Sequence, residues 1–167
     1  ACTDASAGYY VSSSGTASQT ACPAGTYNPN TGQTSCIDTS AGHYAPSTAA
    51  TTQIACAAGT FQPLTGQSSC FDASTGYYVD STAATSQTAC SAGTYNPNTA
   101  STSSAACITT DAGYYSATGS SYQTACPAGT YQASTGQSSC TDASPGYYVD
   151  STAATSQTAC SAGTYNP

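Results

Sequence analysis

The stretch Ala24-Gly25-Thr26-Tyr27 decides the fold, because its pattern of a small residue, a glycine, one variable residue and an aromatic ring recurs along the whole chain. The ring falls at Tyr10, Tyr27, Tyr44, Phe61, Tyr78, Tyr95, Tyr115, Tyr131, Tyr148 and Tyr165, in steps of 17 interrupted after Tyr95 by one of 20 and one of 16. A fixed period is the signature of an array in which each unit packs on its neighbours and not around one central core. The expected fold is small, disulfide-rich and mostly β-hairpin, turn and irregular chain, an elongated tandem-repeat rod with no single hydrophobic core. The rings are expected to pack repeat on repeat, in place of missing aliphatics.

The large aliphatics of the 167-residue chain are Val11, Ile37, Ile54, Leu64, Val79, Ile108 and Val149, too few for a globular interior. Such composition ordinarily gives a disordered chain, because apolar burial does not offset the entropy of ordering it. Ten cysteines reverse that expectation, since small extracellular modules replace a core with cross-links. The setting expected from them is extracellular or the cell surface.

Lys, Arg, Met, Trp and Glu are all absent, and the net charge of −7 comes from aspartate. Without cations, the electrostatic term that dominates nucleic-acid affinity and the attraction to anionic membranes are both missing. No apolar run approaches the roughly 20 residues of a spanning helix, so neither nucleic acid nor membrane insertion is expected. Serine and threonine are abundant, yet no Asn-X-Ser/Thr acceptor occurs, which leaves O-linked glycans as the sugar partners. The chain shows no initiating Met or signal peptide, and the reading is a processed N-terminus or an excerpt of something longer.

The cysteines, Cys2, Cys22, Cys36, Cys56, Cys70, Cys90, Cys107, Cys126, Cys140 and Cys160, are spaced by gaps that alternate near 20 and 14. Two kinds of half-unit therefore alternate, and the chain reads as one continuous array over 1–167 of about five 34-residue repeats: 2–35, 36–69, 70–106, 107–139 and an incomplete 140–167. Each repeat holds two 17-residue half-units. In the first kind, Cys22-Pro-Ala-Gly-Thr-Tyr-Asn-Pro-Asn-Thr-Gly-Gln-Thr-Ser-Cys36 contains strong turn chemistry centred on Pro29. Its strands are expected to be very short, and Cys22 and Cys36 lie symmetrically about the bend. The second kind is expected to bend later, around Asp80-Ser-Thr-Ala-Ala-Thr. A Gln three residues before a cysteine recurs at Gln19, Gln33, Gln53, Gln67, Gln87, Gln123, Gln137 and Gln157, which suits an amide that serves unsatisfied backbone. The segments 72–97 and 142–167 differ only at Thr75 and Pro145, and the one irregular zone is 98–111.

At Cys22-Pro-Ala-Gly-Thr-Tyr and Gly32-Gln-Thr-Ser-Cys36 the chain resembles the cysteine-rich repeats of tumour-necrosis-factor-receptor-like and ephrin-receptor-like ectodomains, and similar segments run its whole length. In that family two cysteines two residues apart separate consecutive modules. Here the spacing is lost: Ala5 and Thr39 stand where the second cysteine belongs after Cys2 and Cys36. The resemblance, with the symmetric bend, favours the pairs Cys22–Cys36, Cys56–Cys70, Cys90–Cys107 and Cys126–Cys140, which leaves Cys2 and Cys160 over. The other nearest-neighbour scheme, Cys2–Cys22, Cys36–Cys56, Cys70–Cys90, Cys107–Cys126 and Cys140–Cys160, stays open and closes every cysteine within the chain. Under the first scheme the two ends are complementary. Cys160-Ser-Ala-Gly-Thr-Tyr-Asn-Pro167 of one molecule meeting Ala1-Cys2 of the next continues the array, with Cys2 and Cys160 in an intermolecular disulfide and the protein its own head-to-tail partner. A boundary within a longer polypeptide gives the same repeat order.

Catalytic chemistry finds no constellation here. His43 is the single histidine and replaces the first ring of the Gly-Tyr-Tyr at Tyr9, Tyr77, Tyr114 and Tyr147. The cysteines are too far apart for structural zinc. Asp4, Asp38, Asp72, Asp111 and Asp142 offer one carboxylate per unit, joined by Asp80 or Asp150 in two units, and read more simply as Asx-turns than as calcium ligands. No enzyme, metal or cofactor is expected. The leading expectation is a non-enzymatic extracellular structural protein, a subunit or segment of a disulfide-stapled filament or stalk. The alternative is an adhesin or receptor-type ectodomain that binds a protein or glycan, and ice binding is a weaker third.

Overall fold

A computed structural model describes residues 1–166. Its regular structure consists of two-residue strands paired antiparallel into hairpins. β1 (Tyr9–Tyr10) pairs with β2 (Thr20–Ala21), β3 (Thr26–Tyr27) with β4 (Ile37–Asp38), β5 (His43–Tyr44) with β6 (Ile54–Ala55), and β7 (Thr60–Phe61) with β8 (Phe71–Asp72). The series continues with β9 (Tyr77–Tyr78) and β10 (Thr88–Ala89), β11 (Thr94–Tyr95) and β12 (Ile108–Thr109), and β13 (Tyr114–Tyr115) and β14 (Thr124–Ala125). It ends with β15 (Thr130–Tyr131) and β16 (Thr141–Asp142), then β17 (Tyr147–Tyr148) and β18 (Thr158–Ala159). A single 3-10 turn, Ser104–Ala106, takes up the extra length of the irregular zone.

The chain divides into two compact units, one made of Ala1–Ala73 with Val79–Gln87 and the other of Ser74–Tyr78 with Thr88 onward. Within each, the glycine two residues before the ring joins one hairpin to the next. In the first unit the N–H of Gly8 donates to Asn28 O at 2.9 Å, Gly25 to Ala45 O at 2.9 Å and Gly42 to Gln62 O at 2.7 Å. The residue after the ring donates onward, Asn28 N to Ala50 O and Ala45 N to Gln67 O, both at 3.0 Å. The second unit repeats the scheme, with Gly93 to Ser116 O at 2.8 Å and Gly113 to Gln132 O at 2.7 Å. A two-residue hairpin alone is marginal in water, so these ladder bonds between hairpins hold each unit together.

The glycine is obligatory for a second reason. Gly42 has φ +79°, and a Cβ there would overlap the carbonyl of Ala83; Gly25, at φ +89°, meets the carbonyl of Gly66 in the same way. Only a residue without Cβ lets the tip of a later hairpin lie against this backbone.

Both kinds of half-unit bend five residues beyond the ring, so the second kind bends within 80–85 as expected, whereas the first bends at Gly32 and not at Pro29. Nine residues separate Tyr27 from Ile37 and nine separate Tyr44 from Ile54. Gly32 (φ +71°) and Ala49 (φ 56°) occupy the equivalent tip, and Ala83 and Ala153 share the left-handed conformation of Ala49. A left-handed alanine costs about 1 kcal/mol, which the contacts of the tip offset. The bond from Ala49 N to Cys22 O, 2.8 Å, holds the tip there.

The buried layer lies one residue beyond the ring. Tyr10, Tyr27, Tyr44, Phe61, Tyr78, Tyr95, Tyr115 and Tyr131 are half-buried, and Tyr148 and Tyr165 are exposed. The next position alternates between a buried amide, Asn28, Gln62, Asn96 or Gln132, and a small or aliphatic residue, Ala45, Val79, Ser116 or Val149. One ring pair, Phe61 with Phe71 at 6.0 Å between centroids, crosses the strands of a single hairpin.

Candidate functional site

The chemistry-bearing feature is the clip that closes each hairpin. In the first kind of half-unit it is a disulfide: Cys22–Cys36, Cys56–Cys70, Cys90–Cys107 and Cys126–Cys140, with Cα separations of 5.6 to 5.9 Å. Cys22, Cys56, Cys90 and Cys126 are almost completely buried. Cys90–Cys107 closes a loop of separation 17 where the others span 14, and the 3-10 turn absorbs the difference.

Beside each disulfide lies a buried amide. Asn28 Nδ2 donates to Tyr9 O and Ser35 O, both at 3.0 Å, and reaches Cys36 Sγ at 3.9 Å. Gln62 Nε2 donates to Ser69 O at 2.8 Å and Gln132 Nε2 to Ser139 O at 2.9 Å. These amides satisfy carbonyls of the returning arm and, for Asn28, one of the preceding hairpin. The Oδ1 of Asn28 has no partner among the described residues, whereas Gln62 Oε1 accepts Leu64 N at 3.1 Å.

In the second kind the same place holds a glutamine. Gln19 Oε1 accepts the N–H of Ser6, Gln53 Oε1 that of Ser40 and Gln157 Oε1 that of Ser144, each at 2.7 Å. In the β13–β14 hairpin, one residue shorter, Gln123 Oε1 accepts Asp111 N and its Nε2 donates to the Asp111 carboxylate, both at 2.8 Å. Thr39 and Gln53 are separated by 14 positions, as Cys22 and Cys36 are. Disulfide clip and glutamine clip therefore alternate. The glutamines before the disulfide cysteines act differently: Gln33 Nε2 donates to Thr31 O at 3.1 Å and Gln67 Nε2 to Thr65 O at 2.9 Å, bracing the tip.

The glutamines of the second clip serve backbone groups as expected, but their equivalence to a disulfide, and the buried amides, escaped the sequence reading. Their signals were present. Gln-X-X-Cys at Gln19 and Gln53, and Cys2-X-X-Ala5 and Cys36-X-X-Thr39, have the spacing of the Cys-X-X-Cys in the repeats that the chain resembles. Thr39 is fully buried, and its Oγ1 accepts Gln67 N at 2.9 Å.

Cys2 and Cys160 are unpaired, Cys2 exposed and Cys160 partly exposed. By register Cys2 corresponds to Cys36 and Cys160 to Cys126, so they stand in the two complementary halves of a disulfide clip. The aspartates are not the Asx-turns expected. Asp38, Asp72 and Asp142 lie in the returning strands β4, β8 and β16 and are exposed, because the bend has already been made at positions such as Gly32. Among the described residues no group of three or more His, Cys, Asp or Glu is placed to hold a metal. His43 sits in β5 with Nδ1 3.3 Å from Ala41 O.

Four disulfides are the chemistry of an oxidising extracellular or surface compartment. No helix among the described residues is long and apolar enough to cross a membrane. No curated protein matches the chain. Residues 113–167, the hairpins from β13 onward, match the family model described as tyrosine-protein kinase ephrin type A/B receptor-like. The hairpins over that span, one of them clipped by Cys126–Cys140, are similar to ephrin-receptor-like cysteine-rich repeats.

Proposed function

We propose that this chain is a non-enzymatic extracellular structural protein, a subunit or segment of a disulfide-stapled surface filament or stalk that carries O-linked sugars on its serines and threonines. The observation that supports this reading is the state of the two unclipped cysteines. Around Cys160, Thr164 N and Oγ1 bond to Ser161 O at 3.0 and 2.8 Å, as Thr26 does to Pro23 O before β3. Around Cys2, a Cβ added at Gly32 would lie 3.6 Å from Asp4 Cγ, as one at Gly66 would lie 3.5 Å from Asp38 Cγ. Each half of a hairpin thus has its local geometry before it meets the other half. Transferring the register of β3 and β4 pairs Thr164 with Asp4 and Tyr165 with Thr3 of a second copy, and brings Cys160 to Cys2.

The test is non-reducing electrophoresis of residues 1–167 after oxidation at high concentration, with negative-stain imaging. A ladder of multimers that collapses on reduction, and is lost in Cys2→Ser and in Cys160→Ser, is expected. Monomers that retain two titratable thiols would overturn the head-to-tail contact. The ephrin-receptor-like match favours a second reading, a receptor-type ectodomain that binds a protein or glycan. Saturable binding of monomer in a glycan array or protein panel, without multimers, would select it.

A further inference from the structure

Three backbone bonds join each disulfide-clipped hairpin to the one that follows it. At Cys22 they run from Gly25 N to Ala45 O at 2.9 Å, from Asn28 N to Ala50 O at 3.0 Å and, in return, from Ala49 N to Cys22 O at 2.8 Å. Gly59, Gln62 and Ala83 donate the same set at Cys56, as Gly129, Gln132 and Ala153 do at Cys126. Cys160 opens the same kind of half-unit, yet Gly163 N, Asn166 N and Cys160 O have no backbone partner among the described residues. Unpaired N–H and C=O groups in a set geometry are a template for another chain.

The first hairpin holds the missing half of that set. Placing Cys2 against Cys160 in the register of Cys22–Cys36 brings Val11 O to Gly163 N, Thr16 O to Asn166 N and Gly15 N to Cys160 O. None of Val11 O, Thr16 O and Gly15 N has a backbone partner among the described residues. Val11, Gly15 and Thr16 line one open groove with Cys2, Asp4 and Gln33, about 1000 Å³ in volume.

The glycines point the same way independently. The tip carbonyl of one hairpin lies over the glycine two hairpins earlier, Ala49 over Gly8, Gly66 over Gly25, Ala83 over Gly42 and Ala153 over Gly113, so close that a Cβ on the glycine would collide with it. Gly146 and Gly163 have the same left-handed backbone, φ +81° and +88°, with open space where that tip belongs. The register that pairs Cys160 with Cys2 seats Gly15 of a second copy on Gly146 and Gly32 on Gly163. We infer that a second copy docks its first hairpin, β1–β2, on the half-unit at Cys160 through these three ladder bonds and two glycine seats, and that the copies associate without any disulfide. This rests on the head-to-tail reading and names the contact that produces it: recognition is by backbone, and Cys2 and Cys160 are not needed for it.

The test uses residues 1–167 carrying Cys2→Ser/Cys160→Ser, which removes the covalent route, in sedimentation over a concentration series. Reversible association is expected. Adding Gly146→Ala, whose methyl has room in the single copy but meets the Gly15 carbonyl in the pair, is expected to weaken association at least about tenfold. Gly129→Ala is the control, since Gly129 also faces open space at φ +89° and bears the same backbone cost. Residues 161–167 and Ala1 supply no tip to lie over it, so association should be unchanged. Hydrogen exchange at Gly15, Gly163 and Asn166 should slow as concentration rises. A serine variant that stays monomeric, equal effects of Gly146→Ala and Gly129→Ala, or unprotected Gly15 and Gly163 amides in the associated form would overturn the inference. Disulfide-linked multimers of the wild type beside a monomeric serine variant would sink this contact and leave the head-to-tail reading standing. Glycine-sensitive association of the serine variant, beside a wild type that never forms the disulfide, would uphold the contact and sink the covalent link.

Discussion

Gln53 Oε1 accepts the backbone N–H of Ser40 at 2.7 Å, thirteen residues away, at the place where the preceding hairpin is closed by Cys22–Cys36. A hydrogen bond and a covalent bond thus do the same geometric task in adjacent half-units. They differ in strength and in response to reductant.

If the two clips are equivalent, one is convertible into the other. The double substitution Thr39→Cys/Gln53→Cys is expected to form a fifth disulfide. The new loop matches the separation of 14 in Cys22–Cys36, for which cross-linking contributes about 3 kcal/mol. Loss of the Thr39–Gln67 bond and of the Gln53–Ser40 clip, at about 1 kcal/mol each, offsets about 2 kcal/mol of that. Thiol counting under denaturing conditions and thermal melting check both parts; two additional free thiols in the folded variant would show that the arms diverge in this hairpin.

Removing a native clip has the opposite sign. Cys56→Ser/Cys70→Ser opens a loop of separation 14 and is expected to lower stability by about 3 kcal/mol. Gln53→Ala, which removes one exposed hydrogen-bonded clip, should cost about 1 kcal/mol. Denaturant melts of the two variants side by side measure the ratio, and similar losses would refute the ranking of clips.

Gly42→Ala tests the ladder. The added methyl meets the Ala83 carbonyl and forces a side chain into φ +79°, so the expected loss is roughly 3 kcal/mol or more. Hydrogen exchange should report faster opening at Gly42, whose N–H donates to Gln62 O, and at Ala83, which donates to Cys56 O. Unchanged protection at both would show that the contact is dispensable.

The buried amides give a test without backbone strain. Asn28→Ala leaves the carbonyls of Tyr9 and Ser35 without their donor, and about 2 kcal/mol of destabilisation is expected. Ala45→Ser, at the equivalent buried position of the neighbouring half-unit, reproduces the residue found at Ser116 and should change stability by less than about 1 kcal/mol. A melt in which both variants behave alike would contradict the separate roles assigned to the two kinds of half-unit.

The hairpins were legible from the sequence wherever Gly-X-ring met Asn-Pro-Asn-Thr-Gly, because both signals depend on local backbone preference alone. The bend at Ala49 was legible in its place, like that of 80–85, but not in its conformation. Its left-handed alanine is held by a bond to Cys22, 27 positions earlier, and no local preference encodes that. Asp38 was misread for the same reason: an Asp near a glycine suits an Asx-turn until the partner strand places it in β4 opposite Thr26. The rings drew attention by their regularity, while the buried position beside them, alternating Asn28 with Ala45 and Gln62 with Val79, was hidden by its change of residue type. Cysteine spacing left two pairing schemes standing. In the structure Cys22 meets Cys36 across one hairpin, where both arms bend about the same turn.

The bonds from Gly25 to Ala45 and from Asn28 to Ala50 are made by peptide groups, and no side chain takes part in either. A repeat that joins its neighbours through atoms every amino acid possesses can be copied whole, without any compensating change next door. Lengthening such a protein by duplication of a gene segment is therefore immediately tolerated. The near-identity of 72–97 and 142–167, which differ at one position, is what a recent event of that kind would leave behind.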